Sequence, residues 1–234
     1  TGFAGVTDRD VRGDLASLHI DIAKLRVRQY QDARDTWQKA LGLLESLPNS
    51  ESDDVRLKRA EVLFEIARSK RLSSSRRSPG RGPGRSSGRG PGRSGNGPSR
   101  SGPRTAELSK ALQLLLELLQ ANPDDHRVRA LHARVLIEGG RTGADPRNLS
   151  RAVSILRELV ITHPDLYRYQ FCETLLSSAR GSRRGRPAAS SDARLAVLEE
   201  AYEAAELLFA AQPLYLESRA MLLRAQERYG FELH

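Results

Sequence analysis

The chain has 234 residues, of which 38% are hydrophobic and 5% aromatic. This length accommodates one or two ordinary domains or one repeat array, and the low aromatic content favours helices packed through Leu and Ala. The single cysteine, Cys172, excludes an internal disulfide and a cysteine metal cluster. No apolar run approaches the roughly 18 residues of a membrane-spanning helix, so no membrane insertion is expected.

The net charge of +9 is concentrated in short stretches of the chain. Ten Lys and Arg residues lie between Lys70 and Arg104 with no acidic residue among them, so the remainder carries a net charge of −1. A second cluster comprises Arg180, Arg183, Arg184 and Arg186. The helical body is therefore mildly acidic, and the basic character of the whole chain is a poor guide to its partner. The first ten residues carry no secretory signal, which favours a cytoplasmic location.

The first predicted hairpin, 12–48, contains the most specific motif. Residues 30–41 read Tyr-Gln-Asp-Ala-Arg-Asp-Thr-Trp-Gln-Lys-Ala-Leu. This segment resembles the second helix of a tetratricopeptide repeat (TPR), with its Tyr-x-x-Ala-x-x-x-aromatic-x-x-Ala-Leu pattern. The resemblance implies that Ala33 and Ala40 lie where helices approach closely, and that Trp37 fills the hole between hairpins. The partner helix is predicted around four apolar residues, Leu15, Leu18, Ile22 and Leu25, and the resemblance implies that Ala23 occupies its usual small position.

Three later segments share one spacing. An alanine precedes a proline by twelve residues in the pairs Ala111 and Pro123, Ala152 and Pro164, and Ala201 and Pro213. Between each pair, apolar residues follow the stripe of an amphipathic helix, and the proline ends that helix. With the helices that flank them, these segments predict hairpins at 52–122, 124–164 and 165–212. A closing helix at 214–229 would cover the last apolar face.

The second hairpin is interrupted by an Arg/Gly/Ser/Pro insert, 71–104. From Ser73 to Pro103 the insert has no aliphatic or aromatic residue, so it is predicted to be disordered. Together the elements predict a single all-α array over 1–234. The TPR resemblance implies a right-handed α-solenoid of about four TPR-like helical hairpins plus a C-terminal capping helix.

No catalytic constellation emerges from the sequence. The five histidines are scattered, and neither His-Glu-x-x-His nor Cys-x-x-Cys is present. His163 lies in a His-Pro-Asp turn and is predicted to be a capping or surface residue, while Cys172 is predicted to be a small buried residue. We therefore expect neither an enzyme nor a metal site, a cofactor or a small-molecule substrate.

The TPR resemblance implies a peptide-binding groove formed by the first helices of the hairpins. The family's groove positions correspond here to Arg127, Ala130, Arg134, Arg168, Phe171, Leu175 and Arg224. Arginine binds carboxylates in bidentate fashion, so the implied ligand is an acidic peptide or a free C-terminus. The asparagines of the family's carboxylate clamp are absent from these positions. The alternative is that these are ordinary solvated arginines.

Two functions follow from these patterns. The first is a non-catalytic scaffold that binds a protein or peptide segment; the His-Pro-Asp turn and the Ala-rich second helices resemble arrays in larger bacterial signalling or regulatory proteins. The second is a nucleic-acid-associated protein that uses the basic loops 71–104 and 180–187. Arg183, Arg184 and Arg186 lie in an Arg-Gly-Arg-Pro element that resembles an AT-hook core. The insert, however, lacks the aromatic residues that stack on bases.

Overall fold

A computed structural model describes residues 8–29, 31–76, 103–141, 147–181 and 191–232. Within these ranges the chain forms helices and no strand, which confirms the all-α prediction there. The helices are α1 (Asp8–Arg28), α2 (Arg34–Glu45), α3 (Asp53–Arg76), α4 (Pro103–Ala121), α5 (His126–Arg141), α6 (Arg147–Thr162), α7 (Pro164–Gly181), α8 (Ser191–Ala211) and α9 (Leu216–Glu232). None of the described helices is long and apolar enough to cross a bilayer.

The helix ends shorten the predicted insert. Helix α3 continues to Arg76 and α4 begins at Pro103, so the first six and last two residues of 71–104 are helical. Arginine has a good helix propensity, and proline is favoured in the first turn of a helix, where its missing N–H costs nothing. Residues 77–102 lie outside the described ranges. So does most of the predicted loop 180–187, since α7 ends at Gly181.

The chain divides into two compact units, unit 1 (Thr1–Ala121) and unit 2 (Asn122–His234). In unit 1, α2 packs between α1 and α3, and α3 packs on α4. The core of this unit includes Trp37, which is 1% exposed and shares a cluster with Ile20 of α1 and Val62 of α3. Ala33 and Ala40 are also buried, as the repeat motif predicts.

Helix α1 packs through the face that carries Ala16 and Ala23. Leu15, Leu18 and Leu25 are 40%, 54% and 54% exposed, whereas Ala16 and Ala23 are fully buried. The helix has two apolar faces, and the face with the small residues allows the closer approach to α2. The small position expected at Ala23 is thus buried, whereas three of the four apolar residues around which the helix was predicted lie at the surface.

In unit 2 the helices form two layers. The odd-numbered helices contact each other. The hydroxyl oxygen of Tyr167 on α7 lies 2.7 Å from Nδ1 of His126 on α5. Nη1 of Arg228 on α9 donates a hydrogen bond to the Leu176 carbonyl oxygen of α7 at 2.8 Å. Even-numbered helices do the same, because Arg157 of α6 forms a bidentate pair with Glu200 of α8 at 2.7 and 2.8 Å. One layer therefore contains α5, α7 and α9, and the other contains α6 and α8.

Three of the even-numbered helices each bury one alanine of the sequence spacing. Ala111 of α4, Ala152 of α6 and Ala201 of α8 are all fully buried. These are the alanines of the sequence spacing, and a side chain of this size lets neighbouring helices approach closely. The spacing therefore identifies one interior position in each of these three helices.

Candidate peptide-binding surface

All seven predicted groove residues lie in the odd-numbered layer of unit 2, but they differ in exposure. Ala130, Phe171 and Leu175 are 7%, 5% and 1% exposed, so their side chains belong to the interior of the unit. Arg127 and Arg224 are exposed, and Arg134 and Arg168 are half-buried. The apolar members of the set thus support packing, and the cationic members are left to define a surface.

Arg127 is tied to the start of its own helix. Oδ1 of Asp125 accepts hydrogen bonds from the backbone N–H groups of Arg127 at 2.8 Å and Val128 at 3.4 Å, so Asp125 caps α5. Nη2 of Arg127 lies 3.2 Å from Oδ2 of the same carboxylate. Burial raises the pKa of Asp125, but the hydrogen bonds from Arg127 and Val128 outweigh it, and the pKa falls below its usual value. The guanidinium of Arg127 is therefore partly neutralised locally.

Arg168 turns towards α8. Its Nη1 donates to the carbonyl oxygen of Leu207 at 3.4 Å. This contact directs the guanidinium of Arg168 towards α8. Arg127 therefore contacts the carboxylate that caps its own helix, whereas Arg168 contacts the backbone of the neighbouring helix α8.

Arg224 is exposed and lines a cavity of unit 2. A cavity of about 410 Å³ is bounded by the end of α7, the start of α8 and the second half of α9. Its lining is formed by Ala179, Arg194, Leu198, Arg224, Glu227, Arg228, Phe231 and Glu232. We call it the α9 cavity. It brings together three guanidinium groups, two carboxylates and an apolar wall.

The three arginines of the α9 cavity have different roles. Arg194 pairs with Glu232 at 2.5 Å, and its buried Nε has no acceptor among the described residues. Arg228 is held by the Leu176 carbonyl. Arg224 is exposed and forms no ion pair within the described part of the chain. Arg224 is therefore the arginine of the cavity with the most N–H groups available to a ligand.

The surroundings of Arg224 extend onto α7. Tyr169 is 40% exposed. Burial raises the pKa of Tyr169, the Glu173 carboxylate raises it further, and the nearby charge of Arg224 lowers it in part. Phe231, 70% exposed, forms an aromatic edge of the cavity. An aromatic and a cationic surface therefore adjoin, an arrangement suited to a ligand that carries a carboxylate beside an apolar group.

Sequence reasoning found Arg224 but missed its neighbours. Arg228 lies four residues further along α9, one helical turn away, so helical spacing from Arg224 could have identified it. Phe231 follows on the next turn. Arg194 is contributed by α8, and only the packing of α8 against α9 brings it to the cavity. No spacing along the chain predicts that neighbour.

A second polar cluster lies where α5 and α7 begin. The rings of His126 and His163 stack at 4.4 Å, and Tyr167 contacts both. The backbone carbonyl of His163 accepts hydrogen bonds from the N–H groups of Leu166 and Tyr167, so His163 starts α7. No group of three His, Cys, Asp or Glu side chains in the described ranges could hold a metal ion. The cluster holds α5 and α7 together.

The side chain of Cys172, in the middle of α7, is fully buried. Burial raises the pKa of the thiol to about 12, with smaller opposing contributions from a backbone hydrogen bond and from Arg168. A thiol with such a pKa is almost wholly protonated at neutral pH and is a poor nucleophile. Cys172 is therefore a packing residue, as predicted.

Comparison with known proteins found neither a protein-family model nor a curated protein that matches this chain. The TPR resemblance therefore rests on the residues themselves, chiefly those of segment 30–41.

Proposed function

We propose that this chain is a non-catalytic protein-interaction scaffold that binds an acidic peptide segment at the odd-numbered layer of unit 2. The observation that carries the proposal is the α9 cavity, in which Arg194, Arg224 and Arg228 converge beside the exposed ring of Phe231. Arginine is the residue best suited to bind a carboxylate through two parallel hydrogen bonds. The apolar edge adds a place for a hydrophobic side chain of the same peptide.

The preferred ligand follows from the charges around the cavity. Arg194 is already paired with Glu232, and Arg228 donates one of its N–H groups to the Leu176 carbonyl, whereas Arg224 is exposed. Arg224 therefore supplies the main contact to the ligand carboxylate. Glu227 and Glu232 disfavour a second acidic group on their side of the cavity, by like-charge repulsion. The best ligand is accordingly a single carboxylate, from Asp, Glu or a C-terminus, next to an apolar residue.

The scaffold belongs, in this proposal, to the α-solenoids built from TPR-like hairpins. The alternation of odd and even layers supports this, as do the buried alanines at one position in each even-numbered helix. The interior position of Trp37 agrees with the motif in segment 30–41. In arrays of this kind the first helices of the hairpins form the binding surface, which is the layer that contains α5, α7 and α9.

Selection from a random peptide library tests this function. The immobilised intact chain is expected to enrich peptides that carry a carboxylate beside an apolar residue. Arg224→Glu is expected to lose this enrichment, because it places a third carboxylate at the cavity. The matched control is Arg219→Glu, which makes the same charge reversal at an exposed position of α9 outside the cavity.

Two results would contradict the proposal. One is enrichment of peptides without any preference for carboxylates. The other is an equal loss of binding in Arg224→Glu and Arg219→Glu, which would indicate an effect of net charge and not of the cavity.

A further inference from the structure

The outward face of α1 carries a continuous apolar stripe. Its members are Val11, Leu15, Leu18, Ile22 and Leu25, which we call the α1 stripe. Four of them are between 40% and 54% exposed, and Ile22 is half-buried. Exposed apolar residues are ordinary when scattered, but a continuous row on one helix face indicates an interaction surface.

The other faces of α1 are already occupied. Ala16, Ile20 and Ala23 are buried in the core shared with α2. Towards α3, Lys24 pairs with Glu61 at 3.2 Å, and Ser17 accepts a hydrogen bond from Lys58 at 3.2 Å. The helix is therefore held rigidly by unit 1 while the α1 stripe points away from both neighbours.

The spacing of the α1 stripe is that of a coiled coil. Its members follow each other at intervals of four, three, four and three residues. This places Leu15 and Ile22 at a positions, and Val11, Leu18 and Leu25 at d positions, of a heptad repeat. In the second heptad, Ile22 at a is flanked by Leu18 and Leu25 at d, the combination that favours two-stranded parallel association, whereas the other a position is Leu15.

The charges beside the α1 stripe identify the partner as a second copy. Within α1 the g positions are Asp14, Asp21 and Arg28, and the e positions are Arg12, His19 and Arg26. In a parallel pair each g residue faces the next e residue of the other helix, so Asp21 meets Arg26 and Asp14 meets His19. In an antiparallel pair g faces g and e faces e, so Asp21 would oppose Asp21 and Arg12 would oppose Arg26, although Asp14 would meet Arg28. The charges therefore favour the parallel orientation, which has no like-charged contact between these g and e positions.

Arg26 keeps N–H groups available for such a contact. Its Nη1 donates to Oγ1 of Thr36 at 2.9 Å, which fixes the guanidinium along the α1–α2 edge while the residue remains exposed. The remaining N–H groups of a guanidinium are enough to bind a carboxylate.

We infer that α1 is a self-association surface, through which two copies of this chain form a parallel, two-stranded seam along the α1 stripe. The interface is isologous, so it closes as a dimer and does not propagate. It spans little more than two heptads, so it lies at the small end of specific interfaces, with a dissociation constant on the order of micromolar. The inference uses unit 1 only and does not depend on the α9 cavity.

Sedimentation equilibrium of the intact chain up to about 300 μM tests the inference. We expect a monomer–dimer equilibrium. Leu18→Lys is expected to weaken the dimer by roughly a hundredfold, because it places a charge at a buried d position. The matched control, Leu116→Lys, makes the same change at a leucine of α4 that is 46% exposed, and should leave dimerisation unchanged. Circular dichroism verifies that both variants retain their helices.

A charge exchange tests the orientation of the two helices. Asp21→Arg alone is expected to weaken the dimer about tenfold, since it turns two attractive contacts into repulsive ones. Adding Arg26→Asp to the same chain should restore the dimer. A failure to restore it would overturn the parallel arrangement. An intact chain that stays monomeric, or a dimer that Leu18→Lys leaves unaffected, would overturn the inference as a whole.

Discussion

Trp37→Ala is expected to lower the free energy of unfolding of unit 1 by about 3–5 kcal/mol, the usual cost of removing a large aromatic side chain from a core. Trp37 is 1% exposed and lies among residues contributed by α1, α2 and α3, so its loss opens a cavity that all three helices line. Since single domains are stabilised by only about 5–15 kcal/mol, this one substitution removes a large part of the stability of the unit.

Hydrogen–deuterium exchange, followed by mass spectrometry of peptides from α1, α2 and α3, measures this effect within unit 1. We expect amide protection in these helices to fall together. Gln38→Ala changes the neighbouring exposed residue of α2 and serves as the control, with an expected effect within about 0.5 kcal/mol. Protection that is unchanged in Trp37→Ala would show that the side chain does not stabilise the core as described.

Trp37→Phe should be milder. The indole N–H of Trp37 is buried and has no acceptor among the described residues. Phenylalanine removes this unpaired donor, which is stabilising, and also part of the side-chain volume, which is destabilising. The two effects on the free energy of unfolding partly cancel.

The thiol of Cys172 is expected to react with a disulfide reagent at least about a thousandfold more slowly in the folded chain than in urea at the same pH. With a pKa of about 12, the folded thiol has a much smaller thiolate fraction than an ordinary thiol, whose pKa is about 8.5. Burial of the sulfur also blocks access of the reagent. The rate of colour release by an aromatic disulfide at pH 8 provides the measurement. Cys172 is the only cysteine, so the signal is unambiguous.

A displaced thiol supplies the control for this rate. In the double variant Cys172→Ala, Glu173→Cys, the thiol moves by one residue to an exposed position of the same helix, where ordinary reactivity is expected. Equal rates in the two chains would contradict the burial of Cys172.

The same pKa shift has a consequence for stability. Above pH 9 the unfolded chain loses the thiol proton that the folded chain keeps, so stability should fall as pH rises towards about 12. Cys172→Ala should lack this part of the decline.

The sequence predicts the helices better than it predicts their faces. The proline spacing and the motif at 30–41 indicated where helices lie, because a proline ends a helix locally and small residues are needed wherever helices meet. In α1 the resemblance implied the small position at Ala23, which is buried, but hydrophobic periodicity alone does not tell which of the two apolar faces packs on α2. That choice depends on which face allows the closer approach to α2.

In the candidate site, the residues that share one helix face could be predicted from the sequence, and those brought together by helix packing could not. Arg224 and, by helical spacing, Arg228 are accessible to sequence reasoning because they share a face of α9. Arg194 is not, because it joins them only when α8 packs on α9. Phe171 was expected as the apolar floor of the groove, with Leu175 beside it, and the packing of the two layers leaves both side chains 5% exposed or less. A family position transfers to a new chain only where the neighbouring helices leave that position open.

The most direct test of the scaffold function is the affinity of one enriched acidic peptide, measured by fluorescence anisotropy, for three forms of the chain. They are the intact chain, Arg224→Glu, and a loop variant. In the loop variant the six arginines between positions 77 and 102, together with Arg183, Arg184 and Arg186, are replaced by glutamine. We predict that Arg224→Glu weakens binding by at least about tenfold and that the loop variant stays within about twofold of the intact chain. Binding that survives Arg224→Glu but is lost in the loop variant would contradict this account and would place the working surface in the basic loops.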